Sequence, residues 1–144
     1  LKANGVRPAR WLNVKSVEEI DYNKIEEIGY PVFIKPTNGG SSVATFKITK
    51  KEDVENAVLE GLKWDKEVMI EEFIKGDEIT CPVFENEMFP VLAIKAKTDF
   101  YDYEQKYSAN GAEHYAINLE INLHKEVAKM ALDTYKALKC SVYA

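Results

Sequence analysis

The chain has 144 residues, 46% of them hydrophobic and 11% aromatic, enough apolar material for one compact domain or two small subdomains and too much for a disordered segment. Its 24 acidic against 19 basic side chains leave a net charge of −5, with no basic block or arginine-rich stripe to track a phosphate backbone, so nucleic acid is excluded as the expected partner. No apolar run approaches the ~20 residues that span a bilayer, and LKANGVRPAR lacks a signal peptide's apolar stretch and cleavage site, which leaves no membrane partner and a soluble cytoplasmic protein as the expectation.

The first clear element follows Ser16, whose spacing to Glu19 is that of a capping box. Val17, Ile20, Ile25 and Ile28 then mark the apolar side of a short helix, which Gly29 ends. Pro31 to Lys35 is a β-prone run, and a second run, Ala44 to Ile48, follows it across the polar segment TNGGSSV, so the pattern predicts strand, tight loop, strand. Thr49 and Glu52 repeat the capping-box spacing. With Val54, Ala57, Val58 and Leu62 at helical intervals, a second amphipathic helix is expected over 50–63. Three more strands are predicted, Glu67 to Phe73, Glu78 to Phe84 and Met88 to Lys95, the last two joined by a turn at Glu85-Asn86-Glu87.

From 97 to 115 the chain is dense in tyrosine and charge, with neither helical nor strand period. It reads as a long ordered loop, of the kind that serves as a lid or binding loop. Leu123, Val127, Met130, Ala131, Tyr135 and Leu138 restore a helical period, and the residues after Lys139 read as a further strand. Cys81 and Cys140 lie far apart with no CxxC spacing and no clustered histidine, which points to two reduced, buried thiols and to no metal site.

Three groups of residues are equipped for chemistry. Lys35-Pro-Thr-Asn-Gly-Gly-Ser-Ser-Val43 couples a lysine at a strand end to a Gly/Ser loop that can bring N–H groups and hydroxyls to phosphate oxygens. The same residues would also make a plain hairpin turn, and the segment matches neither GxxxxGK[ST] nor GxGxxG. Glu71, Glu72, Phe73, Ile74 and Glu78 set acceptor carboxylates around a flat apolar residue, which suits the amino group, ring and ribose hydroxyls of adenosine. Solvated acids at strand ends would have the same composition. Lys106 and Tyr107 end the tyrosine-rich stretch, where a lysine can neutralise a transferring phosphoryl group and a phenol can orient a carboxylate; tyrosines that merely pack the loop down are the alternative. His114 reads as a loop hydrogen-bonder rather than a general base.

Taken in order, three blocks resemble the D-alanine-D-alanine ligases of the ATP-grasp superfamily: YPVFIKPTNGGSSV at 30–43, VMIEEFIKGDEITCPV at 68–83 and FYDYEQKY at 100–107. Gly5-Val-Arg-Pro8 is similar to the family's approach to its first capped helix, so the resemblance runs along essentially the whole chain. It implies an α+β ATP-grasp fold, with a central nucleotide-binding subdomain over 1–71 and the start of the C-terminal subdomain over 72–144, including a lid loop at 97–115.

The resemblance further implies that Lys35 contacts adenine and the α-phosphate, and that Ser41 and Ser42 lie in the loop over the phosphates. Glu71 accepts from the adenine amino group, Phe73 and Ile74 form the hinge that reads the ring edge, Glu72 stands with them among the nucleotide-binding residues, and Glu78 binds the ribose. Lys106 contacts the γ-phosphate, and Tyr107, linked through Ser41, closes the lid over an amino-acid acceptor. ATP, Mg2+ and D-alanine are the implied cofactors and substrates, D-serine is an alternative second substrate, a non-catalytic nucleotide-binding module is the alternative to an enzyme, and a homodimer is the implied assembly. Three departures stand out: Ala44 in place of a glycine, Asn38-Gly39 where a larger charged pair is usual, and no proline in Ala116-Ile-Asn-Leu119. The family's catalytic arginine and magnesium ligands are expected beyond the position of Ala144, which leaves no metal ligand among these residues.

Overall fold

The computed structural model describes residues 1–95 and 112–144, so the expectations for Lys106 and Tyr107 fall outside the described residues. Packing divides the chain into two units, one formed by Ala9–Lys75 and the other drawing on Leu1–Pro8, 76–95 and 112–144.

In the first unit, strands β1 (Trp11–Val14), β2 (Val32–Pro36), β3 (Phe46–Ile48) and β4 (Val68–Glu72) make an antiparallel sheet in the order β1-β4-β2-β3. Strand alternation sends Val32, Ile34, Val68 and Ile70 to one face, where they are fully buried. Helices α1 (Tyr22–Ile28) and α2 (Val54–Leu62) supply the other side of this core, chiefly through Ile25, Val54, Ala57 and Val58. The helix and sheet approach closely at Gly61: a Cβ there would stand 2.9 Å from Cγ2 of buried Val68, which is why this helix carries a glycine despite its poor helix propensity.

The second unit holds a sheet of β5 (Glu78–Thr80), β8 (Leu92–Lys95) and β9 (Glu113–Ala116), in the order β5-β8-β9. It also holds a small hairpin of β6 (Val83–Phe84) with β7 (Glu87–Met88), and helix α3 (Ile121–Ala137). Glu85 and Asn86 both have positive φ, 47° and 68°, as a two-residue hairpin turn of type I′ requires. Residues 142–144 do pair in the manner of a strand, with Val83 and Ala144 exchanging both N–H···O bonds at 2.9 Å.

Several boundaries differ from expectation. The helix expected from Ser16 is broken: Val17–Glu19 form a 3-10 turn, and α1 starts six residues after Ser16, capped by Asp21, whose carboxylate accepts from the N–H of Lys24. Glu19 instead accepts from the N–H of Lys15, and the Ser16 side chain makes no capping bond, so the pair does not nucleate an α-helix. The second helix likewise opens as a 3-10 turn at Lys51–Asp53.

The two long strands expected over 78–84 and 88–95 are each split. Pro82 and Pro90 stand in the gaps, and proline has no N–H to give a ladder. The loop expected over 97–115 is too long, because Glu113–Ala116 pair with β8. Strand β1 was not anticipated at all. Both cysteines are free, as expected, but half-buried rather than buried, and burial raises the Cys81 thiol above its usual pKa. Among the described residues no helix is long and apolar enough to cross a membrane.

Candidate functional site

The face of the first sheet that does not enter the core carries the chemistry. Register places Phe33 opposite Glu71, Lys35 opposite Met69, Trp11 opposite Glu71 and Lys47 opposite Phe33, so all of these side chains leave on the same side. Lys35 and Glu71 meet across the β2–β4 pair, Nζ to Oε2 at 2.5 Å, each partly exposed. Two groups expected from sequence to serve one ligand are therefore in direct contact. Phe73 follows β4, its N–H donating to the carbonyl of Pro31 at 3.3 Å. Its ring packs edge-on against Phe33, centroids 5.7 Å apart, and lies under the Lys47 ammonium at 4.2 Å. Ile74, next along, is 65% exposed.

The Gly/Ser loop between β2 and β3 is a series of turns. Gly39 N–H bonds Pro36 O, Val43 N–H bonds Gly40 O and Thr45 N–H bonds Ser42 O. Asp65, beyond α2, pins its first half by accepting from both the backbone and the side-chain N–H of Asn38, at 2.7 and 2.9 Å, and those bonds hold the Asp65 carboxyl below its ordinary pKa. Ser41 and Ser42 have φ of 53° and 60°, and Ala44 has 52°. A left-handed conformation costs an L-residue roughly 1–2 kcal/mol, which glycine avoids at a smaller entropic cost of its own. Ala44→Gly is therefore expected to stabilise the chain by about 0.5–1 kcal/mol in denaturant unfolding; a loss of stability would show that the Ala44 methyl makes a contact outweighing the backbone strain.

Glu72 points the other way from Glu71, toward the core side of the sheet edge, and its carboxylate is taken by Arg10. Nε and Nη2 of Arg10 donate to its two oxygens at 3.0 and 2.7 Å, and the Arg10 N–H donates to Oε2 at 3.2 Å. These bonds, the side-chain ones foremost, draw the Glu72 pKa from an ordinary 4.5 down to about 2. A depressed carboxylate adds stability that is complete above pH 4.5 and is lost as pH falls through about 2. Comparing Glu72→Gln with the parent by urea unfolding at several pH values is expected to show a difference that shrinks between pH 4.5 and 2. A constant difference would mean that Glu72 is not the titrating group.

Lys35, Glu71 and Phe73 are thus brought together, with the loop bearing Ser41 and Ser42 in the same unit, whereas Glu78 begins β5 in the other unit. Arg10, Lys47 and Asp65 join the site through contacts that the sequence pattern does not indicate. The short alternation Leu12-Asn13-Val14 is the available signal for the strand beside Arg10, and no short motif marks the other two. Among the described residues no group of three or more His, Cys, Asp or Glu is placed to hold a metal ion.

Comparison with known proteins narrows what this site belongs to. Residues 2–144 match the family model described as D-ala D-ala ligase C-terminus. The chain is 67% identical over all 144 residues to D-alanine--D-alanine ligase B of Clostridium perfringens (strain 13 / Type A), of which it covers 48%. Its fold superposes on the crystal structure of D-alanine--D-alanine ligase from Bacillus anthracis with a TM-score of 0.84 at 35% identity, covering 99% of this chain and 47% of that one. The structure of the Bacillus anthracis enzyme complexed with ATP gives a TM-score of 0.80 at 32% identity, with 99% and 46% covered. The fold is accordingly the α+β ATP-grasp fold, and the chain spans about half the length of the curated relatives it matches. With the family model running from its second residue to its last, this chain belongs to the D-alanine-D-alanine ligase C-terminal family.

Proposed function

We propose that this chain is the nucleotide-binding part of an ATP-dependent ligase that joins two D-alanine molecules for peptidoglycan synthesis in the cytoplasm. The observation that carries the reading is the Lys35–Glu71 pair on the open sheet face, beside a braced aromatic at Phe73 and a glycine-bearing loop. A bound nucleotide would let each partner exchange the other for a ligand group. Lys35 would turn to the α-phosphate, and Glu71, released, would accept from the adenine amino group. The main chain at Phe73 and Ile74 would read the ring edge, and Glu78 would hold the ribose hydroxyls. Ser41 and Ser42 would fold over the phosphates, Lys106 would meet the γ-phosphate, and Tyr107 would close the lid through Ser41.

The reaction runs in two steps. A carboxylate oxygen of the first D-alanine attacks the γ-phosphorus and ADP departs, leaving an acyl phosphate; the amine of the second D-alanine then attacks the acyl carbon, phosphate leaves and the amine loses a proton. The chain's own contribution is to position the nucleotide, offset charge with Lys35 and keep water from the acyl phosphate. Among the described residues no group of three or more His, Cys, Asp or Glu is placed to hold the Mg2+ implied for the family. The unit containing Ala9–Lys75 would act as the central subdomain, read from sequence as 1–71, and the rest as the start of the C-terminal subdomain. A homodimer is part of the same reading.

The test is phosphate release by the whole protein with ATP and D-alanine, with the product identified by mass. D-alanyl-D-alanine formed in step with phosphate is the expected result. Product formed only when D-serine or D-lactate is supplied as acceptor would overturn the assignment of the second substrate, and absence of any ATP-dependent product would overturn the ligase reading.

A further inference from the structure

We infer that Arg10 is a positioning residue for nucleotide recognition, its guanidinium locking the Glu72 carboxylate and the end of α1 together so that residues 72–74 are held in the conformation that reads the base. The inference rests on the ATP reading above and adds Arg10 to it, acting through Glu72.

Four side-chain hydrogen bonds leave the guanidinium. Two reach the oxygens of Glu72, and two reach the carbonyls of Glu27 and Ile28 at 2.8 and 2.7 Å. Those carbonyls end α1, where helix acceptors have no partner within the helix and a cation is favoured by the dipole. The main chain joins in, since Glu72 N–H donates to Arg10 O at 2.8 Å and Arg10 N–H returns a bond to the carboxylate. One side chain therefore fixes the start of β1, the end of α1 and the last residue of β4 to one another.

Arg10 is 56% exposed and Glu72 28%, so water screens part of what the pair contributes to folding. A planar fork using both carboxylate oxygens and two carbonyls instead fixes direction, which a lysine's point charge would not. What it directs is the exit of β4. Phe73, the next residue, is braced by Pro31 O, Phe33 and Lys47, and the main chain then passes to Ile74, whose side chain turns out into solvent. A main-chain edge held in advance binds a base without first losing conformational freedom.

Steady-state kinetics of the whole protein with D-alanine and either ATP or GTP would test the inference in Arg10→Met, Arg10→Lys, Glu72→Gln and the Arg10→Met/Glu72→Gln double variant. Arg10→Met is expected to raise the KM for ATP roughly tenfold, the effect of a lost charge-assisted hydrogen bond, and Arg10→Lys to show most of that loss. The kcat at saturating ATP should stay within about twofold, because uniform binding is what is lost. Preference for ATP over GTP should fall by a similar factor, and the double variant should be no worse than Arg10→Met alone. A structural role only would lower kcat for both nucleotides through a smaller folded fraction and leave the preference intact, and that result would overturn the proposal.

Should Arg10→Met fail to fold, the isosteric Glu72→Gln carries the same readout. An unmodified protein that saturates with ATP, beside variants of unchanged KM and preference, would overturn the positioning role alone. An unmodified protein with no ATP dependence would overturn the nucleotide reading and this inference with it.

Discussion

Lys35→Met in the whole protein is expected to lower kcat/KM for ATP by about 10- to 100-fold, the scale of a lost hydrogen bond between charged groups. Two effects add. In the proposed complex the α-phosphate would lose a cation in a partly desolvated place, and in the free protein Glu71 would lose the ion pair that holds it on the open sheet face. The second effect has its own signature. Adding Glu71→Gln to Lys35→Met removes the unpaired carboxylate, so the double variant should be less impaired than the product of the two single effects, with a coupling on the order of 0.5–3 kcal/mol. Methionine keeps most of the lysine's length and apolar stem, so folding stability should change little. If kcat/KM for ATP moves less than about threefold, a size within reach of small changes in side-chain packing, Lys35 does not touch the nucleotide in the reacting complex.

Ile70→Ala should cost about 2–5 kcal/mol in urea unfolding, a large share of the ~5–15 kcal/mol that holds a typical domain folded. Ile70 is fully buried at the centre of the sheet, opposite Leu12 on β1 and Ile34 on β2. Ile34 is fully buried too, and the neighbouring strands cannot close on the missing methyl groups without breaking their ladders. Leu59→Ala, at a half-exposed position on α2, serves as the control and should cost much less. Similar losses at both positions would mean that the core does not centre on the β4–β2 pair. The consequence for function is direct, because the open face of this pair holds Lys35 and Glu71: the same two strands that bury Ile34 and Ile70 set the distance between the ionic partners on their other side.

Much of this was written in the chain order. Pro31 to Ile48 reads as strand, loop, strand because β-branched and aromatic residues flank a polar Gly/Ser segment, and β2 and β3 form there. The period of Val54, Ala57 and Val58 is that of a helix laying one stripe on a sheet, and those three are buried. Gly29 stops α1 at a φ of 89°, a local requirement that the residue type alone announces. The three blocks of resemblance pointed to the ligase family, and the family match agrees.

Other features depend on pairs distant in sequence. Capping residues at Ser16 and Glu19 promise a helix locally, yet Asp21 starts it, because side-chain caps are worth too little to override how the chain must enter the core. Strand β1 is only four residues long with one of them buried, and it exists because β4 offers it an edge. The sequence by itself determined the apolar stripes, the glycine stop, the polar loop and the family, since each is a property of neighbouring residues. That Glu71 belongs to Lys35 and Glu72 to Arg10 was decided by the tertiary structure alone: adjacent residues on a strand point to opposite faces, and strand order fixes which distant side chain waits on each.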